Sequence, residues 1–190
     1  MITLIAGPMK SGKSTELFRQ MERKHIAGKK VLYVCPSLDT REFFARGIPR
    51  SRLFEVASCE TVKDWNLVDE KKLYDWIDGY DAIFVDEFFM IKNNIRLCTI
   101  LPTEDHKCDI FFGGLIADAS AGMWGELIEI EPYCDEIIKL TAVCERCGSE
   151  HANFSYMKNV SQNAIVIGDA EYKALCRRCY LKTREEDKWN

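Results

Sequence analysis

A short glycine-rich segment near the N-terminus carries the clearest chemistry in the sequence. It fits the pattern G-x-x-x-x-G-K-[ST] at every defined position: Gly7, Pro8, Met9, Lys10, Ser11, Gly12, Lys13 and Ser14. Gly12 lets the chain turn so that backbone N–H groups and the positive end of a following helix surround phosphate oxygens. Lys13 is expected to reach the β- and γ-phosphates, and the Ser14 hydroxyl to ligate magnesium. The alternative is a chance match in a turn before a helix.

Two adjacent carboxylates, Asp86 and Glu87, directly follow the apolar run 83–85. Such a run is typical of a buried strand in a parallel sheet, and ligands bind at the carboxyl edge where those strands end. Asp86 is therefore expected to complete the magnesium site through water. Glu87 is the candidate base that accepts a proton from an attacking hydroxyl. The alternative for Glu87 is that it caps a following helix.

Four cysteines form two C-x-x-C pairs, Cys144 with Cys147 and Cys176 with Cys179, separated by 28 residues. Each pair can hold a metal from one knuckle, and four thiolates closing a tetrahedron are typical of structural Zn²⁺. Such a site leaves no coordination position open, so it stabilises the fold without doing chemistry. A redox-active pair is the main alternative.

The composition is that of an ordinary globular protein. The chain has 190 residues, of which 47% are hydrophobic and 29% charged, and its net charge is -4. This length holds one α/β domain with a small appendage. The acidic balance argues against broad neutralisation of phosphates, so no stable nucleic-acid partner is expected. No run approaches the ~20 apolar residues of a spanning helix, so we expect a cytoplasmic protein without membrane contact.

The other five cysteines are scattered among apolar residues. A reducing compartment disfavours disulfides, and free cysteine behaves as a small hydrophobe. We therefore expect these residues to be buried: Cys35, Cys59, Cys98, Cys108 and Cys134.

Apolar runs alternate with helical patterns along the first 138 residues. Strands are predicted at 2–6, 30–35, 82–85 and 109–112, helices at 15–26, 61–77 and 89–101, and a loop at 37–52. Continuous apolar strands separated by helices predict a parallel sheet covered on both faces. We expect an α/β fold of the P-loop NTPase type in residues 1–138, its parallel sheet flanked by helices. Residues 139–190 are expected to form a small zinc-ribbon-like domain with a charged tail.

Taken in order, these features resemble the type II thymidine kinases over nearly the entire chain. The resemblance includes the phosphate loop and five further segments: Asp-Thr-Arg at 39–41, Asp-Glu-Phe-Phe at 86–89, Gly-Leu at 114–115 with Asp118, Lys-Leu-Thr-Ala-Val-Cys at 139–144, and 167–179. The last of these is the most telling, because a generic phosphate loop does not predict it.

The resemblance implies phosphoryl transfer from ATP, with Mg²⁺, to the 5′-hydroxyl of a deoxynucleoside, thymidine or a close analogue, by a homotetramer that also holds Zn²⁺. The catalytic base of the family falls on Glu87, and its aspartate and arginine near the phosphates fall on Asp39 and Arg41. A loop from the zinc domain is implied to cover the base. The residues along the nucleoside would be Ile165, Val166, Ile167 and Gly168, with Tyr172 at the edge.

Several positions depart from the family pattern. Phe89 stands in place of a glutamine, Ile116 in place of an aspartate, and Ala119 in place of an aromatic residue that would contact the base. Trp124 occupies another aromatic position and could compensate by stacking. Lys10 stands where an apolar residue or asparagine is common. These departures concern substrate choice and rate more than the fold.

Two other functions remain open from the residues alone. One is an ATPase or nucleotide switch whose zinc domain holds a protein or nucleic-acid partner. Trp65 and Trp76 could then belong to an exposed surface, although burial against the sheet is the expectation. The other is a catalytically impaired relative that binds nucleosides without phosphorylating them, which Phe89 and Ala119 suggest.

Overall fold

The computed structural model describes residues 1–37, 47–100, 107–158 and 172–187, together with the backbone of 43–45. The strands, in chain order, are β1 (Ile2–Gly7), β2 (Val31–Pro36), β3 (Phe43–Ala45), β4 (Ile48–Pro49), β5 (Ser58–Val62), β6 (Ala82–Asp86), β7 (Asp109–Leu115), β8 (Glu136–Lys139), β9 (Ala152–Tyr156) and β10 (Lys173–Cys176). The α-helices are α1 (Lys13–Ile26), α2 (Arg50–Val56), α3 (Glu70–Gly79), α4 (Ile95–Ile100), α5 (Gly125–Ile130) and α6 (Arg177–Asp187). Single 3₁₀ turns cover Trp65–Leu67, Phe88–Met90 and Glu131–Tyr133.

A parallel sheet of six strands, in the order β5-β2-β6-β7-β1-β8, occupies the centre of the larger part of the molecule. Strands β1, β2 and β6 are buried at every residue, which explains why they read as continuous apolar runs. Because all six strands are parallel, their carboxyl ends meet at one edge. The predicted parallel α/β sheet flanked by helices is confirmed.

The two faces of the sheet pack against different sets of helices. Helix α1 covers one face, where Leu17 and Met21 join a core that includes Tyr33 and the stacked rings of Phe84 and Phe111, 4.4 Å apart. The opposite face carries the larger core, to which α3, α4 and α5 contribute. Burying each large apolar side chain stabilises the fold by roughly 1.5–3 kcal/mol relative to leaving it exposed.

The helix predicted at 61–77 is wrong. Strand β5 extends to Val62, a 3₁₀ turn follows at Trp65–Leu67, and α3 starts at Glu70. Two aspartates interrupt the helical pattern, since Asp64 accepts a hydrogen bond from the Asn66 amide at 2.9 Å and Asp69 caps α3. Trp65 and Trp76 are both buried and pack edge to face at 6.4 Å, so they form no exposed surface.

Two other predictions of local structure need correction. Within the predicted loop 37–52 lie β3, β4 and the start of α2, which Pro49 precedes in an extended conformation. The helix predicted at 89–101 is divided into the 3₁₀ turn Phe88–Met90 and the short α4. Asn94 lies at this break, and its side-chain amide donates hydrogen bonds to the carbonyls of Phe88 and Ile91, an alternative to continued helical pairing.

The C-terminal part of the chain forms a small unit of its own around the paired cysteines, which we call the cysteine unit (residues 140–158 and 172–187). It contains the antiparallel pair β9 and β10, helix α6 and a separate apolar cluster that begins at Ala142. Strand β8 ends at Lys139 and pairs with β1, so the predicted boundary at residue 138 lies inside β8. The division into two domains stays a prediction.

The scattered cysteines follow the prediction in part. Cys35, Cys98 and Cys108 are buried, and burial raises the pKa of the Cys98 and Cys108 thiols to about 12. Cys134 is half-buried, whereas Cys59 lies exposed on the edge strand β5, so its predicted burial is wrong. In the ranges given above, no helix combines the length and the apolar character needed to cross a membrane.

Gly114 offers a direct test of the packing between β7 and the turn after β6. A Cβ atom at Gly114 would lie 2.7 Å from Cδ1 of Phe88, whose ring is fully buried. We expect Gly114→Ala to lower the free energy of unfolding by about 1–3 kcal/mol, the usual cost of overpacking. Denaturant unfolding measures the difference.

The matched control for Gly114→Ala is Gly79→Ala at the end of α3, where an added Cβ meets open space. Alanine favours helix over glycine by up to ~1 kcal/mol, so this variant should be unchanged or slightly more stable. Equal stabilities of the two variants would contradict the packing described here.

Candidate active site and metal centre

The loop between β1 and α1 has the backbone of an anion-binding turn. Gly12, at the N-terminal cap of α1, has φ 84° and ψ 17°, a left-handed conformation that L side chains rarely adopt. Lys10 is also left-handed, at φ 63°. Left-handed residues in such a loop turn neighbouring N–H groups to one side, and the 14-residue α1 directs its positive end there. The predicted strand, loop and helix are present.

Lys13 and Ser11 lie within this loop. The Lys13 side chain is buried, and its ammonium group donates a 2.7 Å hydrogen bond to the Pro8 carbonyl. A Cβ at Gly7 would lie 2.7 Å from the Ser11 hydroxyl, so the loop is tightly folded. That hydroxyl is buried and has no hydrogen-bond partner among the described residues. An unpaired buried hydroxyl is costly, and an oxygen ligand inside the loop would satisfy it.

Asp86 ends β6 at the carboxyl edge and is almost fully buried, with 1% of its surface exposed. One carboxylate oxygen accepts a hydrogen bond from the Tyr33 hydroxyl at 3.3 Å, and the other from the Glu87 amide at 3.0 Å. A Cβ at Gly113 would lie 3.4 Å from Asp86 and 3.1 Å from Leu17 of α1. Asp86 therefore lies on the face that α1 covers, the side of the phosphate loop.

Glu87 is half-buried and adopts a left-handed backbone, at φ 47° and ψ 43°. It precedes the 3₁₀ turn Phe88–Met90, and its side chain makes no capping hydrogen bond to that turn. Glu87 therefore occupies the N-cap position of this turn without the side-chain hydrogen bond that a capping residue usually makes.

The four paired cysteines converge in the cysteine unit, where their sulfur atoms all lie within 4.8 Å of one another. The Sγ atoms of Cys147 and Cys176 are 3.7 Å apart. Tetrahedral zinc with Zn–S bonds of ~2.3 Å requires sulfurs ~3.8 Å apart, so the cluster has the dimensions of a structural zinc site. The residues fit the predicted metal.

The acidity of these thiols also favours a cation. Burial alone would raise the pKa of Cys144, but backbone N–H groups of Cys176, Arg146 and Cys147 lower it to about 6. Burial and the neighbouring sulfurs raise the pKa of Cys179 to about 12. The Ser149 amide also lowers the pKa of the Cys147 thiol. Thiolates are therefore favoured at Cys144 and Cys147, whereas a negative charge on Cys179 is opposed by burial and by the other sulfurs unless a cation neutralises them.

Comparison with known proteins agrees with this geometry. The sequence model of the family "Thymidine kinase" matches residues 1–180. The chain belongs to the thymidine kinase family. It is 32% identical over 188 residues to a thymidine kinase of Pseudothermotoga lettingae, covering 98% of this chain and 97% of that protein. It is 31% identical to thymidine kinase a of Arabidopsis thaliana, over 95% of this chain and 74% of the plant protein, and 27% identical to the thymidine kinase of raccoon poxvirus, over 95% and 96%.

The cysteine unit of this thymidine kinase family member contacts the phosphate loop directly. The Met9 amide donates to the Ser155 hydroxyl at 2.9 Å, and the Lys10 ammonium binds the Glu145 carboxylate at 3.0 Å. The hydrogen bond from the Ala174 amide lowers the pKa of the Glu145 carboxyl, and the hydrogen bond from Lys10 lowers it further. The sequence singled out Lys10 as unusual, but it gave no signal for Ser155, because a lone serine in a strand has no characteristic spacing.

Helix α6 of the cysteine unit also holds the turn after β7. Asp118 organises this turn, since one carboxylate oxygen accepts from the amides two and four residues later, both at 2.8 Å. The Tyr180 hydroxyl donates to the Ala119 carbonyl at 3.0 Å, and Arg184 donates to the Ser120 carbonyl at 3.1 Å. Neither Tyr180 nor Arg184 was predicted, because only the fold brings residues this far apart together.

Three positions singled out in the sequence lie on one apolar core. The rings of Phe89 and Trp124 stack at 4.9 Å with 29° between their planes, and Ile116 and Met9 pack against the same core. The indole N–H of Trp124 is buried without a partner among the described residues. Tyr172 is half-buried directly before β10. The other predicted phosphate and nucleoside contacts lie outside the described residues: Asp39, Arg41, Ile165, Val166, Ile167 and Gly168.

Removal of the metal should unfold the cysteine unit. Zinc binding to small four-ligand sites is worth on the order of 10 kcal/mol, and the apolar cluster around the cysteines is small. We expect Cys144→Ser to lose zinc and to unfold at a temperature several degrees lower. Metal analysis by mass spectrometry together with thermal unfolding checks both effects.

Cys59→Ser is the control for the zinc experiment, because it removes an exposed thiol far along the chain from the cluster. This variant should keep one zinc ion per chain and the unfolding temperature of the parent. A stable, metal-free Cys144→Ser protein would show that the cluster is not a structural zinc site.

Proposed function

We propose that the protein transfers the terminal phosphoryl group of Mg²⁺-ATP to the 5′-hydroxyl of a deoxynucleoside, with thymidine as the first candidate. The observation that carries this proposal is the arrangement at the carboxyl edge of the sheet. Strands β1 and β6 flank β7; the phosphate loop lies at the end of β1, and at the end of β6 lie Asp86, its last residue, and Glu87 directly after it. Strands two places apart are separated by about 10 Å. ATP bound at the end of β1 and a nucleoside hydroxyl held beside Glu87 at the end of β6 can therefore meet between the two strands.

The phosphate loop is proposed to hold ATP through residues 7–14. Its inward amides and the positive end of α1 favour an anion, and the Ser11 hydroxyl lacks a partner among the described residues. Lys13, which binds the Pro8 carbonyl at 2.7 Å, exchanges that carbonyl for phosphate oxygens. Asp39 and Arg41 are proposed to lie near the phosphates on the strength of the family resemblance.

Magnesium is proposed to bind the Ser14 hydroxyl and, through water, Asp86. Ser14 lies in the first turn of α1, and Asp86 faces the side of the sheet that α1 covers. The ion, when bound, neutralises charge on the β- and γ-phosphate oxygens. The hydrogen bonds from Tyr33 and the Glu87 amide keep the buried Asp86 carboxylate in place for this role.

Glu87 is proposed to act as the general base. As the 5′-oxygen of the nucleoside forms its bond to the γ-phosphorus, the bond from that phosphorus to the β,γ-bridging oxygen breaks and ADP leaves. The proton of the 5′-hydroxyl passes to the Glu87 carboxylate. Positioning and charge stabilisation supply most of the rate enhancement, as in other phosphoryl transfers.

The nucleoside is proposed to bind between the phosphate loop and the cysteine unit. Trp124 is the candidate ring for stacking on the base, with Tyr172 at its edge and residues 165–168 along the nucleoside. The relatives named thymidine kinase support thymidine as the substrate. A homotetramer is proposed on the same resemblance. The cytoplasmic location and the two domains, 1–138 and 139–190, are proposed from the composition and the change of sequence pattern at the paired cysteines.

A steady-state assay with ATP and a panel of deoxynucleosides tests the proposal. Formation of a nucleoside monophosphate, fastest with thymidine, is the expected result. Hydrolysis of ATP that does not depend on any nucleoside would instead indicate an ATPase or nucleotide switch. Tight nucleoside binding without product would indicate a catalytically impaired relative.

Glu87→Gln should lower kcat by roughly 10² to 10⁴, because an amide of the same shape cannot accept the proton. The Kd for ATP should stay nearly unchanged, since the phosphate loop is intact. Steady-state kinetics and calorimetric titration with ATP measure the two quantities. Glu129→Gln, a change of the same kind at an exposed position of α5, is the control and should keep the parent kcat. Full activity of Glu87→Gln would mean that another group takes the proton.

A further inference from the structure

The backbone that carries Glu87 is held in a conformation that a glutamate does not readily adopt alone. Left-handed φ and ψ values cost a non-glycine residue of order 1 kcal/mol or more and persist only where the surroundings impose them. The turn after Glu87 is closed by two backbone hydrogen bonds, from the Met90 amide to the Glu87 carbonyl at 2.8 Å and from the Ile91 amide to the Phe88 carbonyl at 2.9 Å. Something must hold this turn from outside.

Asn94 is the side chain that does so. It is fully buried, with 0% of its surface exposed. Its amide nitrogen donates to the Phe88 carbonyl at 2.9 Å and to the Ile91 carbonyl at 2.6 Å. Asn94 therefore binds both ends of the turn, one of them the residue immediately after Glu87. A buried amide with all of these bonds made fixes its partners firmly, because breaking any bond leaves a polar group unpaired.

Trp65 binds the other end of the Asn94 side chain. The indole N–H of Trp65 donates to the Asn94 side-chain oxygen at 3.0 Å, and the ring is fully buried. Two backbone bonds join the same regions, from the Trp65 amide to the Lys92 carbonyl at 3.0 Å and from the Lys92 amide to the Lys63 carbonyl at 3.2 Å. The Asn94 side chain thus directs its oxygen toward Trp65, while its nitrogen is held toward the turn by its own two bonds to the carbonyls of Phe88 and Ile91.

We propose that Asn94 is a positioning residue for the Glu87 carboxylate: by binding the carbonyls of Phe88 and Ile91 it fixes the 3₁₀ turn that follows the left-handed Glu87, and so the backbone from which Glu87 reaches the reacting hydroxyl. This inference rests on the proposed function of Glu87 as the base. Catalytic groups must be held within about 0.5 Å of their productive geometry, and a displacement of about 1 Å can cost 10²-fold in rate. Asn94 touches neither phosphate nor nucleoside in this assignment, so it acts on kcat through Glu87.

The test compares two changes at Asn94 with one at Trp65. Asn94→Leu keeps the approximate volume and removes both donors, and Asn94→Asp keeps the oxygen that Trp65 binds but cannot supply two donors. Trp65→Phe is the matched control, since it perturbs the same buried network while leaving the two bonds from Asn94 to the turn. Each variant is assayed with ATP and thymidine well below its own unfolding temperature. The measured kcat values then compare folded proteins and are not lowered by unfolding.

We expect both Asn94 variants to lower kcat by about 10- to 100-fold, with the KM values for ATP and thymidine changed less than about threefold. Trp65→Phe should keep kcat within about threefold although its stability falls. Hydrogen exchange by NMR should show faster exchange of the Met90 and Ile91 amides in the Asn94 variants than in Trp65→Phe. Asn94→Asp provides the test if Asn94→Leu does not fold.

Equal kcat values for the Asn94 variants and Trp65→Phe would overturn the positioning role while leaving the kinase function in place. The same holds if the turn amides exchange faster but kcat does not change. An unmodified protein that phosphorylates no nucleoside would instead refute the proposed function, and the positioning role with it. The activity of the unmodified protein therefore separates the two failures.

Discussion

The close approach of three neighbouring strands at one edge of the sheet is the constraint on which the site depends. Strand β7 lies between β6 and β1, and it contributes two glycines where the strands end. An added Cβ at Gly114 would lie only 2.7 Å from the ring of Phe88, and one at Gly113 would lie 3.1 Å from Leu17 and in contact with Asp86. Without the space at these two glycines, the acidic pair and the turn after it could not lie beside the phosphate loop.

The cysteine unit takes part in this arrangement, because it contacts the loops at the carboxyl edge of the sheet as well as stabilising its own fold. It contacts the phosphate loop through Ser155 and Glu145 and the turn after β7 through Tyr180 and Arg184. The ion pair of Glu145 with Lys10 is exposed and contributes little energy by itself. The hydrogen bond from the Met9 amide to Ser155 is of another kind, because it engages the backbone of the loop. A change in the fold of the cysteine unit should therefore also change the conformation of the phosphate loop.

The sequence predicted the features that depend on interactions between residues close together in the chain. The phosphate loop, the buried strands and the cysteine pairs each depend on spacing within a few residues, and all of them are present. The helix at 61–77 failed because the caps at Asp64 and Asp69 outweighed a helical spacing of apolar residues. Strand β8 and helix α5 were missed, since their short, partly exposed segments show little periodicity. Asn94 and Ser155 act across the fold, and no local pattern marks such residues.

The aromatic pair of Phe89 and Trp124 bears on whether the departures from the family pattern imply loss of function. A phenylalanine where the family pattern has a glutamine suggests impairment when Phe89 is considered alone. In the structure Phe89 is 5% exposed and stacks on Trp124, so its ring completes the core beneath the site. A glutamine there would bury an amide against an indole face, with the cost of unpaired polar atoms. Phe89 and Trp124 are thus explained together by packing, and Phe89 by itself gives little support to an impaired enzyme.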